Sequence, residues 1–219
     1  MIFRPTTLSL LLISAGLTFA HAPAFAETGT KAVTQGPSAQ QIRLAALAED
    51  YYQKSLELNP ISATEQGEHR YDDRLPMTLT PEIRAQELAY YKKLHADLSR
   101  IQRRHLNVQE KQTLDIMLFE TEAALKLSAF PDHLMPVNQM DSIPLTLAHF
   151  AGGQSAQPLK TPQQYRTFLK RLQQLPAWLQ AARANMEQGI QRKVVLPKAL
   201  VISMLPQYEQ MVKIGRAHV

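Results

Sequence analysis

Three features of the sequence point to a mainly α-helical fold. Apolar residues recur at steps of three and four over most of the chain after residue 40, the spacing of one helix face. Glycine is scarce, at 8 of 219 residues, which leaves few positions for the turns of a many-stranded β-protein. Several of the 14 prolines sit after a threonine or at the end of an apolar run, where they start or stop helices. The composition, 45% hydrophobic and 20% charged, is that of an ordinary folded chain and excludes disorder throughout and collagen-like repeats. The absence of cysteine excludes disulfides, a thiol nucleophile, a thiolate zinc site and an N-terminal lipid-modified cysteine.

The first helix is expected over residues 41–59, where Leu44, Leu47, Ala48, Tyr51, Leu56 and Leu58 are near helical spacing and Pro60 ends the run. Thr80-Pro81 is an N-cap followed by proline at the first helical position, where no N–H is needed. The helix it opens carries Leu88, Tyr91, Leu94, Leu98 and Ile101 as one stripe. Asn107 with Glu110 three residues on has the form of a capping box. It introduces a helix with Leu114, Met117, Leu118, Leu125 and Leu127, close enough in sequence to its predecessor to predict an antiparallel hairpin. Residues 131–162 hold five prolines and Gly152-Gly153, and read as one long irregular segment of the functional or externally held kind. Thr161-Pro162 repeats the cap-plus-proline signal ahead of Tyr165, Phe168, Leu169, Leu172 and Leu175, a stripe that runs up to Pro176. A further helix holds Trp178, Leu179, Ala182 and Met186, with Gly189 as its stop. Val194-Val195-Leu196 reads as a short strand or an extended linker, and a last helix starts near Pro197.

Residues 1–26 have the form of a cleaved signal peptide. A basic start ending at Arg4 precedes the mostly apolar residues 8–19, and Ala24-Phe25-Ala26 presents small residues where a signal peptidase reads, ahead of Glu27. The apolar run is well short of the ~20 residues that cross a bilayer, and Pro23 interrupts it. The expectation is a periplasmic or secreted chain with no stable membrane anchor after cleavage. Residues 27–40, rich in Gly, Thr and Ser, read as a flexible leader, and residues 41–213 as a partial helical domain.

The residues that carry chemistry are sparse. The seven histidines include no pair at the i, i+4 spacing that sets two imidazoles on one helix face for zinc. There is no Gly-rich phosphate loop and no Gly-x-Ser-x-Gly elbow. The sequence therefore names no catalytic, cofactor-binding or metal-binding residue in this chain. The net charge of +5 raises the question of a nucleic-acid partner. Its densest cluster, Lys92, Lys93, Arg100, Arg103, Arg104 and His105, lies around the polar side of an amphipathic helix without base-stacking aromatics. That pattern is a solvated helix face, and no nucleic-acid partner is expected. Arg4 and Arg216 fall in segments expected to be removed or foreign, which lowers the basic balance further. The most polar stretch is Gly67-Glu68-His69-Arg70-Tyr71-Asp72-Asp73-Arg74-Leu75-Pro76. It reads either as the wall of a charged cleft or as a connection between helices with Asp and Arg paired locally; turn chemistry favours the second.

That stretch, with Asn59-Pro60-Ile61-Ser62-Ala63-Thr64 before it, resembles the opening of a bacterial family catalogued as domain of unknown function 885. Pro136-Val137-Asn138-Gln139-Met140-Asp141 resembles the family's central loop. The run from Thr161-Pro162 through Tyr165, Leu169, Arg171-Leu172 and Leu175-Pro176 to Glu187, Gly189-Ile190 and Pro197 resembles its next helical segment. The resemblance covers about residues 41–213. It implies a longer, exported, mostly helical protein similar to zinc metallopeptidases of the gluzincin type, with peptide as the substrate of the full-length parent. The zinc motif of such proteins, a His-Glu pair with a further histidine soon after, has no counterpart in this sequence. The resemblance thus places zinc in the full-length parent and no cofactor in this chain, which is expected to be an inactive N-terminal fragment.

Residues 214–219, Ile214-Gly215-Arg216-Ala217-His218-Val219, break the apolar pattern that runs through Tyr208, Met211 and Val212. They match one reading frame of a common sequencing adapter, so the tail is suspected to be adapter-derived and the gene to continue past Lys213. The alternative is a complete periplasmic helical binding or scaffold protein, with residues 131–162 as its partner surface.

Overall fold

The computed structural model describes residues 36–217 except position 141, with side chains described through residue 211. The expected signal peptide at residues 1–26, residues 27–35 of the leader, and positions 218 and 219 lie outside the described residues. Among the described residues the chain forms eight α-helices and three 3-10 turns, and no strand.

Helix α1 (Ala39–Leu58) starts at a full capping box. The Ser38 hydroxyl accepts from the Gln41 N–H, and the Gln41 side chain accepts from the Ser38 N–H. Asn59 closes it, and Pro60 opens the short α2 (Pro60–Glu65). Pro81 occupies the first turn of α3 (Pro81–Ser99) and Thr80 is its N-cap residue, as expected, but the Thr80 side chain makes no capping hydrogen bond. The Thr80 hydroxyl instead donates to the Met77 carbonyl. Helix α4 (Val108–Leu127) carries the expected box between Asn107 and Glu110. The hairpin of α3 and α4 is antiparallel: His95 meets Thr121, whereas the later Arg103 pairs with the earlier Asp115.

Helices α1, α3 and α4 bury one apolar cluster, made of Leu44, Leu94, Leu98, Ile101, Leu106, Leu114 and Met117. Leu44, Leu94, Leu98, Leu114 and Met117 come from the stripes that their helices turn inward, whereas Ile101, expected on the α3 stripe, and Leu106 lie in the connection between α3 and α4, because α3 ends at Ser99. Each fully buried Leu or Met is worth about 1.5–3 kcal/mol of transfer free energy. A second cluster joins Leu75 and Leu79, from the connection ahead of α3, to three later helices. Leu147 and Phe150 come from α5 (Ile143–Ala151), Phe168 from α6 (Pro162–Leu172), and Trp178 and Ala182 from α7 (Leu175–Arg192). The final helix, α8 (Lys198–Ala217), buries Met204 and ties Tyr208 to Ser142 through a hydroxyl–hydroxyl bond of 2.9 Å. Its backbone helix continues through Ala217, past the lapse of the apolar pattern at Ile214.

Three local expectations are corrected. Residues 131–162 are not wholly irregular, because they contain α5 and a 3-10 turn, Asp132–Leu134. Ile143, Leu147 and Phe150 share one helix face there, and Pro144 falls in the first turn, where a missing N–H is harmless. The stripe expected to run up to Pro176 is divided, because α6 ends at Leu172 and Leu175 and Pro176 open α7. Gly189 does not stop α7, which runs three residues further and ends on Lys193 in the left-handed conformation, φ 57°. The glycine is needed for close approach: a Cβ there would stand 2.6 Å from the Val194 carbonyl oxygen and 3.1 Å from that of Leu134. Val194-Val195-Leu196 is the extended linker of the two options.

Candidate functional site

Two stretches of chain distant in sequence, residues 60–72 and 157–171, meet around one guanidinium. Helix α2 supplies Thr64 and the Pro60 carbonyl. A turn at Gly67, φ 84°, leads into the 3-10 turn His69–Tyr71 and Asp72. The loop between α5 and α6 supplies Gln157, and α6 supplies Arg171.

Arg171 is fully buried. Its Nη1 donates to Gln157 Oε1 at 2.7 Å. Its Nη2 donates to Thr64 Oγ1 and the Tyr71 carbonyl, both at 2.8 Å, and reaches the Pro60 carbonyl at 3.2 Å. The Asp72 carboxylate lies 3.8 Å from the guanidinium and is itself buried. Asp72 Oδ1 accepts from the Thr64 hydroxyl at 2.6 Å, and Oδ2 is 3.0 Å from His69 Nδ1. A carboxylate can only accept, so this contact places a proton on His69 Nδ1. Desolvation pushes the Arg171 guanidinium down to about 10, with the Asp72 and Asp73 charges opposing that shift. The group stays cationic at neutral pH, and Asp72 provides its countercharge within the protein.

Two polar atoms in this cluster have no partner: Arg171 Nε and Gln157 Nε2. The guanidinium carbon stands 5.7 Å from the centre of the Phe150 ring, whose face offers the cation some compensation. Gln157 Nε2 has no such neighbour. The residue is also among those lining a pocket of about 150 Å³, with His69, Asp72, Pro158, Gln164 and Thr167.

The polar stretch from Gly67 to Pro76 is therefore more than a local turn. Asp72 pairs with His69 nearby but also faces an arginine from α6, while Arg70 turns to Glu68 and Gln53. Sequence reasoning missed Arg171 and Gln157. Arg171 left a trace: it stands three residues after Phe168 on the buried side of α6 and is the charged residue on that side. Gln157 left none. Of the basic cluster expected on one helix, Lys92 and Lys93 lie on α3 and Arg100 ends it, while Arg103, Arg104 and His105 form a separate 3-10 turn beyond it; the cluster is in part neutralised within the fold. Asp97 takes Lys93 at 2.8 Å and Arg43 and Arg100 at 3.2 Å each, and the Lys93 ammonium bonded to it holds its carboxyl below the ordinary carboxylate range.

Among the described residues no group of three His, Cys, Asp or Glu side chains could hold a metal ion, so the residues present do not fit a zinc centre. Nor is any described helix long and apolar enough to cross a membrane. Neither a curated protein nor a solved structure matches the chain. A family match does, extending over residues 60–218, from α2 through the last helix. The chain belongs to the family described as "Bacterial protein of unknown function (DUF885)".

Proposed function

We propose that this chain is the N-terminal helical part of an exported bacterial protein that resembles zinc metallopeptidases of the gluzincin type. The metal and the catalytic groups would lie in chain beyond residue 213. The observation that carries this reading is an uncovered apolar face. On α4, Ile116 and Phe119 are 47% and 69% exposed, Leu127 lies on the same face two turns beyond Phe119, and Phe130 is exposed just past the helix end. Val201, Ile202 and Leu205 leave α8 similarly open. Contiguous exposed apolar surface of this kind marks a face that another element covers. The signal-like segment before Glu27 supports export to the periplasm or beyond.

The test has two arms. The nucleotide sequence downstream of Lys213 is expected to continue in frame. The longer product is expected to hydrolyse a mixed peptide pool in a chelator-sensitive way, and the 219-residue chain is not. Robust hydrolysis by the short chain would refute the reading. The rival, a complete periplasmic helical binding or scaffold protein, draws its support from the pocket to which Gln157 and Pro158 contribute from residues 131–162. A natural stop codon after Val219 and a sharp thermal transition of the isolated chain would favour it.

A further inference from the structure

We infer that Arg84, His133 and Arg192 form a surface site for a phosphate-type oxyanion. The three come from the start of α3, the 3-10 turn Asp132–Leu134 and the last turn of α7. Helix α7 brings them together. Asn185, Gly189 and Arg192 follow one another at steps of four and three, so they share one face of that helix. At Asn185 that face meets the chain ahead of α3. The Asn185 Nδ2 donates at 2.8 Å to the Leu79 carbonyl, which also accepts from Arg84 Nη1. At Gly189 the face meets Leu134, the neighbour of His133, so closely that a Cβ would stand 3.1 Å from the Leu134 carbonyl oxygen. Arg192 is the next residue along the same face and is exposed, while Arg84 and His133 are half-buried.

The positive charge gathered there is not paired off within the fold. The charges that bear on the His133 imidazole are those of Arg84 and Arg192, opposed by Asp132. Among the described residues neither arginine forms an ion pair with a carboxylate, and Arg192 makes no hydrogen bond either. Two permanently charged guanidinium groups thus stand near one carboxylate without pairing to it. Like charges held near one another repel, and a bound anion relieves that repulsion. Arg192 keeps its N–H donors free of the protein, and Arg84 commits Nη1 alone to a protein carbonyl. Guanidinium forks match the oxygens of phosphate and carboxylate. Donors arriving from three separate elements suit a tetrahedral oxyanion, whose oxygens do not share one plane, better than a carboxylate, whose two oxygens do. Such a group could come from free inorganic phosphate or from a phosphate monoester.

The experiment is a titration of the purified full chain, following the arginine Nε–H and His133 ring signals by ¹H–¹⁵N NMR at constant ionic strength. Inorganic phosphate and O-phosphoserine are the probes; sodium acetate and sodium chloride are the controls. Phosphate is expected to give saturable shifts at Arg84, His133 and Arg192 together. Acetate should bind about fivefold more weakly or worse, because it forgoes at least one charge-assisted hydrogen bond. Tighter binding of O-phosphoserine than of phosphate identifies a monoester as the source, and equal or weaker binding identifies free phosphate. Sodium sulfate, doubly charged across the pH range used, should raise the titration midpoint of His133, because a bound anion favours the protonated ring. Arg192→Gln removes a charge that has no ion pair in the described fold. It should weaken phosphate about tenfold or more, with an unchanged thermal midpoint in phosphate-free buffer. Shifts that chloride reproduces, acetate as effective as phosphate, an unmoved His133 midpoint, or undiminished binding by the Arg192→Gln chain would each overturn the assignment.

Discussion

Gln41 and Glu110 join two helix starts into one unit. The Gln41 Nε2 donates to both Glu110 carboxylate oxygens at 2.9 Å, while its Oε1 accepts from the Ser38 N–H at 2.7 Å. Glu110 accepts in turn from the Asn107 N–H at 2.8 Å. Each side chain therefore completes its own capping box and holds the other's. Asn107→Ala is expected to lower stability by about 1 kcal/mol in urea denaturation. Gln41→Ala and Glu110→Ala combined should cost less than the sum of the two, with a coupling of about 0.5 kcal/mol or more. Strict additivity would show that the two boxes act separately.

Arg171 is held by four oxygens and a nearby carboxylate, all inside the fold. Arg171→Ala strands the buried Asp72 charge and is expected to cost about 3–5 kcal/mol by chemical denaturation. Arg171→Lys should also destabilise, since one ammonium cannot replace a planar fork that binds on two nitrogens. A loss of less than about 1 kcal/mol in the alanine variant would show that Asp72 finds water or another partner.

These two networks mark the boundary of what the sequence makes legible. The capping box at Asn107 and Glu110 is local, spanning four residues, and can be read directly from spacing. So can the proline starts of α3 and α6. Arg171 meets Thr64 across a separation of 107 residues, and no local pattern encodes that meeting. Helix α5 was hidden because prolines around it suggest irregular chain, although Pro144 sits in a first turn that tolerates it. Gly189 reads as a helix stop because C-terminal glycines are common. Its actual role, letting α7 approach two carbonyls, depends on tertiary packing alone.

Two glycines should respond differently to alanine. Gly189→Ala would drive a methyl group against the backbone oxygen of Val194 and is expected to cost about 1–3 kcal/mol, as overpacking does. Gly67 has open space around it but φ of 84°, so Gly67→Ala should cost about 1–2 kcal/mol from backbone conformation alone. Replacing Gly67 with Asn, which tolerates that region, should recover part of the loss in thermal melts, whereas Gly189→Asn should be worse than alanine.

His133 predicts a pH dependence. Desolvation first, then the nearby Arg84 and Arg192 charges, holds its imidazole below the ordinary value of 6.5, with Asp132 opposing. The unfolded chain therefore takes up the proton before the folded chain does. Stability from this group is full above pH 6.5 and is lost as pH falls from there through the folded value. Urea midpoints measured from pH 7.5 down to 5 should decline through this window, and His133→Gln should flatten the decline. An identical profile in the variant would assign the dependence to other groups.

The open face of α4 can be tested on this chain by itself. Phe119, 69% exposed, is expected to accept Phe119→Lys with a stability change within about 0.5 kcal/mol. Light scattering from concentrated solutions should fall in that variant. A large loss of stability would mean that Phe119 packs within this chain after all.

The two apolar clusters differ in how much chain each must gather. The first draws its buried residues from positions 44–117 alone, whereas the second needs Leu75 and Leu79 to meet helices that end near residue 192. Contacts of short sequence separation form sooner, because less loop entropy is lost in closing them. The three-helix unit of α1, α3 and α4 is thus placed to fold first and to act as a template. The guanidinium of Arg171 then arrives late, as a latch that can engage α2 only after the later helices have docked. Hydrogen-exchange protection should follow that order, appearing at Leu98 and Leu114 before it appears at Arg171.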